Sequence, residues 1–199
     1  MSDPHVVAVC GSLRDESYTR TGLKYALRGV EEAGGTGELV ALSAVDLPLF
    51  DPDLDAADQG EAERLTRLVR EAEGVLLGSP VYHGSYSSAF RNFHDYCSFD
   101  DFEDTAVGLL ATAGGGSYGA TLEHMRSTVR GVHGYVVPEQ VGIRNAYDRF
   151  VDDPEAPDGR AFREADADLQ ERCEDLGAAV VEHARRLQVD PIAEASLDD

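Results

Sequence analysis

Apolar residues along this chain alternate between short continuous runs and stretches spaced by three and four. Residues 6–10, VVAVC, form an unbroken apolar and β-branched run, the pattern of a strand covered on both faces. Gly11 and Ser12 end it. Leu23, Leu27 and Val30 then recur at helical spacing until Gly34 and Gly35, which predicts strand, loop and helix within about thirty residues. The rhythm repeats: a short strand at 39–42, the loop LPLFDPD, and a helix with Leu65, Leu68, Val69 and Ala72 on one face. Further strands are predicted at 74–78, 106–113 and 135–137, with helices over 89–96 and 120–132 between them. A loop rich in Asp, Pro and Gly follows at 152–159, then a last helix over 162–187 and an acidic tail at 188–199.

Five strands alternating with five helices predict an α/β fold: one parallel sheet wrapped on both faces, with right-handed crossovers. The length of 199 residues and 42% hydrophobic content suit a single domain over residues 1–187. Such sheets bind ligands outside the carboxyl ends of the strands, where the strand order reverses. The loops after the first, third and fourth strands are the ones rich in Gly, Ser and Tyr. All three belong to that edge, and the order 2-1-3-4-5 places the switch between strands one and three.

Charge narrows the function. The chain carries 17 basic against 38 acidic residues, a net charge of -21, and its sole lysine is Lys24. That balance argues against a nucleic-acid or anionic-membrane partner, both of which need a positive field. It fits a halophilic surface of hydrated carboxylates. The start MSDPH lacks the basic and apolar regions of a secretory signal, and no run reaches the length of a membrane span, so a cytoplasmic location is expected. Cys10, Cys97 and Cys173 form no CxxC pair and are read as small buried hydrophobes. His94 and Cys97 lack the second pair that a metal site needs, so no metal is expected.

In molar salt an anionic ligand must be held by short contacts, because the Debye length shrinks to about 3 Å at 1 M. The segment GSLRDESYTR, residues 11–20, offers them at a helix amino terminus, where unpaired N–H groups favour a phosphate. It is neither a Walker A loop, since no GK[ST] follows, nor GxGxxG. Ser12, Ser17 and Thr19 can each donate to a terminal phosphate, and Arg14 and Arg20 can neutralise it with forked hydrogen bonds. The other reading is an ordinary turn with a serine cap and two solvated arginines. In SPVYHGSYSSAFRN, residues 79–92, Pro80 shapes the chain, Gly84 permits close approach, and Tyr82, His83 and Tyr86 supply flat faces. Packing of the two tyrosines beneath the loop, with His83 as a solvated turn residue, is the alternative. The loop GGGSYG with Gly114, Gly115 and Gly116 signals backbone approach to a ligand, or flexibility.

These segments resemble the NADPH-dependent FMN reductase family, the flavodoxin-like group of flavin, quinone, azo-dye and chromate reductases. GSLRDESYTR is similar to the family's GSxRxxSxxR phosphate loop, SPVYHGSYSSAFRNFHDY to its SPxYxxSxxxxLKNxxDW flavin loop, and VPEQVGI with the following acidic helix to its closing segment. The resemblance spans nearly the whole chain and implies a flavodoxin-like three-layer α/β/α sandwich binding FMN, with NADPH or NADH as co-substrate. Ser12, Arg14, Ser17, Thr19 and Arg20 would hold the phosphate. Pro80, Tyr82, His83, Gly84 and Ser85 would hold the ring and ribityl chain, and Gly114, Gly115 and Gly116 would close the far side. Val81 stands where many members have Glu, and Arg91 where Lys is usual.

The resemblance implies an NAD(P)H oxidoreductase in which the chemistry rests on FMN and no side chain serves as acid, base or nucleophile. A quinone, free flavin or similar small molecule would accept the electrons by a ping-pong mechanism, in a homodimer or homotetramer. Two alternatives stay open from the residues: a flavodoxin-type carrier without pyridine-nucleotide oxidation, and a non-catalytic flavin-binding sensor.

Overall fold

The computed structural model describes residues 3–188, so the expected acidic tail lies, apart from Gln188, outside the described residues. Five parallel strands, β1 (His5–Cys10), β2 (Thr36–Ala41), β3 (Gly74–Pro80), β4 (Ala106–Ala113) and β5 (Tyr135–Arg144), form one sheet in the order β2-β1-β3-β4-β5. Helices α1 (Tyr18–Glu32), α2 (Ala62–Glu71), α3 (Ser88–Tyr96), α4 (Gly119–Gly131) and α5 (Ala167–Leu187) flank it. This is the expected flavodoxin-like sandwich. Side chains alternate along each strand, so two cores form. Val6, Ala8 and Cys10 of β1 pack toward α1 and α5, while Val7 and Val9 pack toward α2, α3 and α4.

Two glycines set the approach of α1 to α5. A Cβ on Gly29 would overlap the backbone of Glu174, and one on Gly177 would overlap the Ala26 carbonyl. Across the same contact Arg28 pairs with Glu174. The close crossing anchors α1, whose amino terminus faces the carboxyl edge of the sheet.

Three local readings change. The last strand runs to Arg144 rather than stopping at 137, because Pro138 lies on an edge strand, where a missing N–H leaves no ladder bond unmade. The Asp-, Pro- and Gly-rich stretch is capped by a small antiparallel hairpin, β6 (Phe150–Asp152) and β7 (Arg160–Phe162). In consequence the final helix begins at Ala167, with Phe162 in the hairpin packed at a tilt against Phe150, ring centroids 4.3 Å apart. Among the described residues no helix is long and apolar enough to cross a membrane.

Candidate functional site

The loops after β1 and β3 are joined through one buried serine. Gly11 donates its N–H to the Gly78 carbonyl at 2.8 Å, and Ser87 Oγ donates to the Gly11 carbonyl at 2.6 Å. The same Ser87 oxygen accepts from Phe90 N at 3.1 Å and caps α3. Ser17 caps α1 in the same manner, accepting from Arg20 N at 3.1 Å. The first turn of α1 contains no acidic residue, while Glu16, just before the Ser17 cap, lies on the cavity wall.

Against this terminus lies a cavity of about 270 Å³. Seven of the residues expected from sequence line it: Ser12, Arg14, Ser17, Thr19, Pro80, Tyr82 and Gly114. Ser12, Ser17 and Thr19 are buried. Thr19 Oγ1 lies 2.6 Å from Thr112 Oγ1, so one of the two hydroxyls keeps a proton for a ligand. Arg14 reaches the cavity with no carboxylate in ion-pair range among the described residues, in contrast to most of its fellow cations. Glu16, which also lines the cavity, is paired with Arg160 at 3.1 Å. Arg67, Arg130, Arg144, Arg172 and Arg185 also lack a carboxylate partner among the described residues, but Arg14 is the one of these that lines this cavity, where its fork of donors can meet an anion.

The remaining expected residues stand differently. Arg20 does not line the cavity. Its Nε donates to both oxygens of Asp158, at 2.9 and 3.1 Å, and its Nη2 donates to the Asp15 carbonyl at 2.6 Å. Asp158 also takes Lys24 at 3.0 Å and Thr21 Oγ1 at 3.0 Å. Burial raises its carboxyl pKa, but the hydrogen bonds from Arg20, Lys24 and Thr21 together outweigh that and hold it below the usual range.

His83 and Gly84 are the two central residues of a turn closed by reciprocal backbone bonds between Tyr82 and Ser85, at 2.9 and 3.1 Å. Both have positive φ, 52° and 81°, the signature of a type I′ turn. Their part is to present Tyr82 rather than to line the cavity. Ser85 Oγ lies 3.1 Å from His124 Nδ1, and Tyr86 packs on Phe90. Gly115 accepts a bond from Arg144 Nε at 3.1 Å, and Gly116 is exposed beyond it. A Cβ on Gly114 would meet no atom within 4 Å, so the backbone there borders open space beside the cavity.

Sequence reasoning missed Glu16, Tyr18, Thr112, Ala113, Ala146 and Tyr147. Thr112 carried a signal, since it sits near the end of a predicted strand just before the glycine loop. Tyr147 carried none, because it enters through the extension of β5 and the short 3-10 turn Ala146–Asp148 behind it. Tyr18 stacks on Phe150 at 5.6 Å with 7° between the rings, tying the cavity wall to the hairpin.

The donor set fits FMN. Hydroxyls, a free guanidinium and a helix amino terminus converge at one end for a phosphate, while Pro80, Val81, Ala113 and Ala146 form apolar wall beneath two partly exposed tyrosines. Among the described residues no group of three metal-ligating side chains is assembled. His94, one turn from Cys97, is instead enclosed between Phe90 and Phe102.

Residues 4–148 match the family model described as NADPH-dependent FMN reductase. The chain is 36% identical over 137 residues to an NADPH azoreductase of Bacillus sp. (strain OY1-2), covering 68% of this chain and 74% of that protein. It is 33% identical over 152 residues to an FMN-dependent NADPH-azoreductase of Staphylococcus saprophyticus, covering 73% and 79%. Its fold superposes on the flavoenzyme NAD(P)H:(acceptor) oxidoreductase of Paracoccus denitrificans with a TM-score of 0.68 at 22% identity, over 90% of this chain and 98% of that one. With the phosphate loop, the aromatic turn and the family model all falling on the same stretch, the chain belongs to the NADPH-dependent FMN reductase family, NAD(P)H-dependent oxidoreductases that work with FMN.

Proposed function

We propose that this protein oxidises NADPH or NADH and passes the electrons, in a ping-pong sequence, to a small diffusible acceptor such as a quinone, a free flavin or an azo compound. The observation that carries the reading is the unpaired Arg14 beside the serine-capped terminus of α1, opening onto a largely apolar cavity. Ser12, Arg14, Ser17 and Thr19 would hold the FMN phosphate. Pro80, Tyr82 and Gly114 would border the ring, with His83, Gly84, Ser85, Gly115 and Gly116 shaping the two loops that carry them. Bound there, FMN supplies the two-electron chemistry that no side chain of this cavity can perform. The chain's own residues bind, orient and exclude water. Tyr82, half exposed at the rim, offers a flat face to an incoming ring, and backbone N–H groups of the loops can stabilise negative charge.

Family membership favours this reading over a carrier or a sensor, since both of those require only the flavin. A neighbouring subunit would complete the rim. Leu49 is 84% exposed, and with Leu13 it edges a groove lined by Leu42, Leu47 and Ala89, the kind of apolar surface that a second copy covers. Light scattering that returned a monomer at working concentration would remove that part.

The deciding experiment is an anaerobic visible spectrum of the FMN-loaded protein in molar KCl, before and after NADPH. Bleaching of the flavin band, followed by parallel-line kinetics with a quinone acceptor, is expected. A flavin that bleaches with dithionite but with neither nicotinamide would overturn the reductase assignment, and intersecting lines would overturn ping-pong.

A further inference from the structure

The hairpin β6–β7 lies wholly beyond the residues that match the family model, yet it is bound to the cavity at several points. Asp158, in the turn region that leads into β7, has a side chain only 7% exposed and receives Arg20, Thr21 and Lys24 from consecutive turns of α1. Its φ of 60° is left-handed, which Asp and Asn tolerate and most other residues do not. Arg160 of β7 takes Glu16 and lies over the ring of Tyr18 at 5.2 Å. Tyr25 OH donates to the Arg160 carbonyl at 3.2 Å, and Tyr18 stacks on Phe150. Arg163, just after β7, pairs with Asp148 at 3.0 Å and donates its N–H to Arg149 O at 2.9 Å, next to Tyr147. Tyr147 lines the cavity while 64% exposed.

We propose that this hairpin braces the FMN cradle: Tyr147, in the turn Ala146–Asp148 just before the hairpin, forms the outer wall against the flavin, Arg163 ties the hairpin to that turn through Asp148, and Asp158 is the positioning residue that ties the hairpin to α1 through Arg20 and Lys24. The proposal rests on FMN occupying the cavity described above. It assigns Arg20 to the hairpin and leaves Arg14 as the guanidinium available to the phosphate. Two observations separate these roles: Arg20 is engaged by Asp158 through Nε and by the Asp15 carbonyl through Nη2 and is absent from the cavity lining, whereas Arg14 lines it unpaired.

Comparing FMN with riboflavin, which lacks the phosphate, distinguishes a phosphate ligand from a wall. Affinities are read from quenching of flavin fluorescence for the wild type, Arg14→Ala, Arg20→Ala, Asp158→Asn, Arg20→Ala/Asp158→Asn and Tyr147→Ala. Asn keeps the left-handed backbone at 158, and Tyr147 is exposed enough that its truncation leaves folding intact; thermal melts check both. Asp158→Asn and Tyr147→Ala are expected to weaken FMN and riboflavin by the same factor, about fivefold to tenfold. Arg20→Ala should weaken both flavins by no more than Asp158→Asn, since Lys24 and Thr21 still hold Asp158, and the double variant should be no worse than Asp158→Asn alone, because the Arg20 contact runs through Asp158. Arg14→Ala should weaken FMN alone. If Arg20→Ala weakens FMN but spares riboflavin, or Asp158→Asn and Tyr147→Ala bind both flavins like the wild type, the proposal is overturned while FMN binding in the cavity stands. If the wild type binds no FMN, or Arg14→Ala leaves its affinity unchanged, the cofactor placement falls and the hairpin proposal with it.

Discussion

His94 on α3 gives the clearest quantitative prediction. Its ring lies between Phe90 and Phe102, at centroid distances of 6.1 and 6.2 Å, and is 5% exposed. Its Nε2 has no hydrogen-bond partner among the described residues. Burial, followed by the nearby charge of Arg91, pushes its pKa down from 6.5 to about 4. Between those values the unfolded chain takes up a proton that the folded chain refuses. The stability associated with neutral His94 is therefore complete above the unfolded pKa and is lost as pH falls toward about 4. A shift of this size corresponds to about 3 kcal/mol in all, and to about 2 kcal/mol between about pH 7 and pH 5. His94→Leu removes the titrating group and should show a correspondingly smaller loss over that interval. Urea unfolding of both proteins at the two pH values reads the difference, in which every other titrating group cancels. Equal losses in the two proteins, or an NMR titration of the His94 ring with a midpoint above 6, would refute the reasoning.

Ser87→Ala should cost about 2 kcal/mol in urea unfolding, since it removes the α3 cap and leaves the buried Gly11 carbonyl short of a donor. It should also weaken FMN binding, because that bond holds the phosphate loop to the β3 loop; unchanged affinity would mean that the loop is rigid without it. Gly177→Ala should destabilise by about 3 kcal/mol or more, because its Cβ would overlap the Ala26 carbonyl at the α1–α5 crossing, whereas Gly131→Ala, facing open space, should be neutral or stabilising by up to about 1 kcal/mol. Equal melting temperatures for the two would remove the close-crossing argument. Raising KCl toward the molar range should raise the melting temperature, as screening relieves the self-repulsion of a net charge of -21; a flat or falling curve would count against a halophilic surface.

Much of the site was legible because its chemistry is local. A serine before a helix caps it, His83 with Gly84 makes a tight turn, and both follow strands whose continuous apolar runs announce a buried parallel sheet. Arg20 shows where local reasoning stops. Its place in the loop motif says nothing of Asp158, which the fold sets beside it from 138 residues away in sequence. The hairpin escaped notice for a related reason: its three-residue strands are too short to show a period, and they are held by Tyr18, Tyr25 and the charges of α1 rather than by their own propensity.

By itself, then, the sequence determined the five strands of the main sheet and the five helices, and the loops at the carboxyl edge of that sheet, since each follows from hydrophobic period and turn chemistry over a few residues. Only the tertiary structure decided which cation stays free in the cavity, which tyrosines wall it and why His94 is neutral, because charge pairing and desolvation depend on groups that folding brings together from distant parts of the chain.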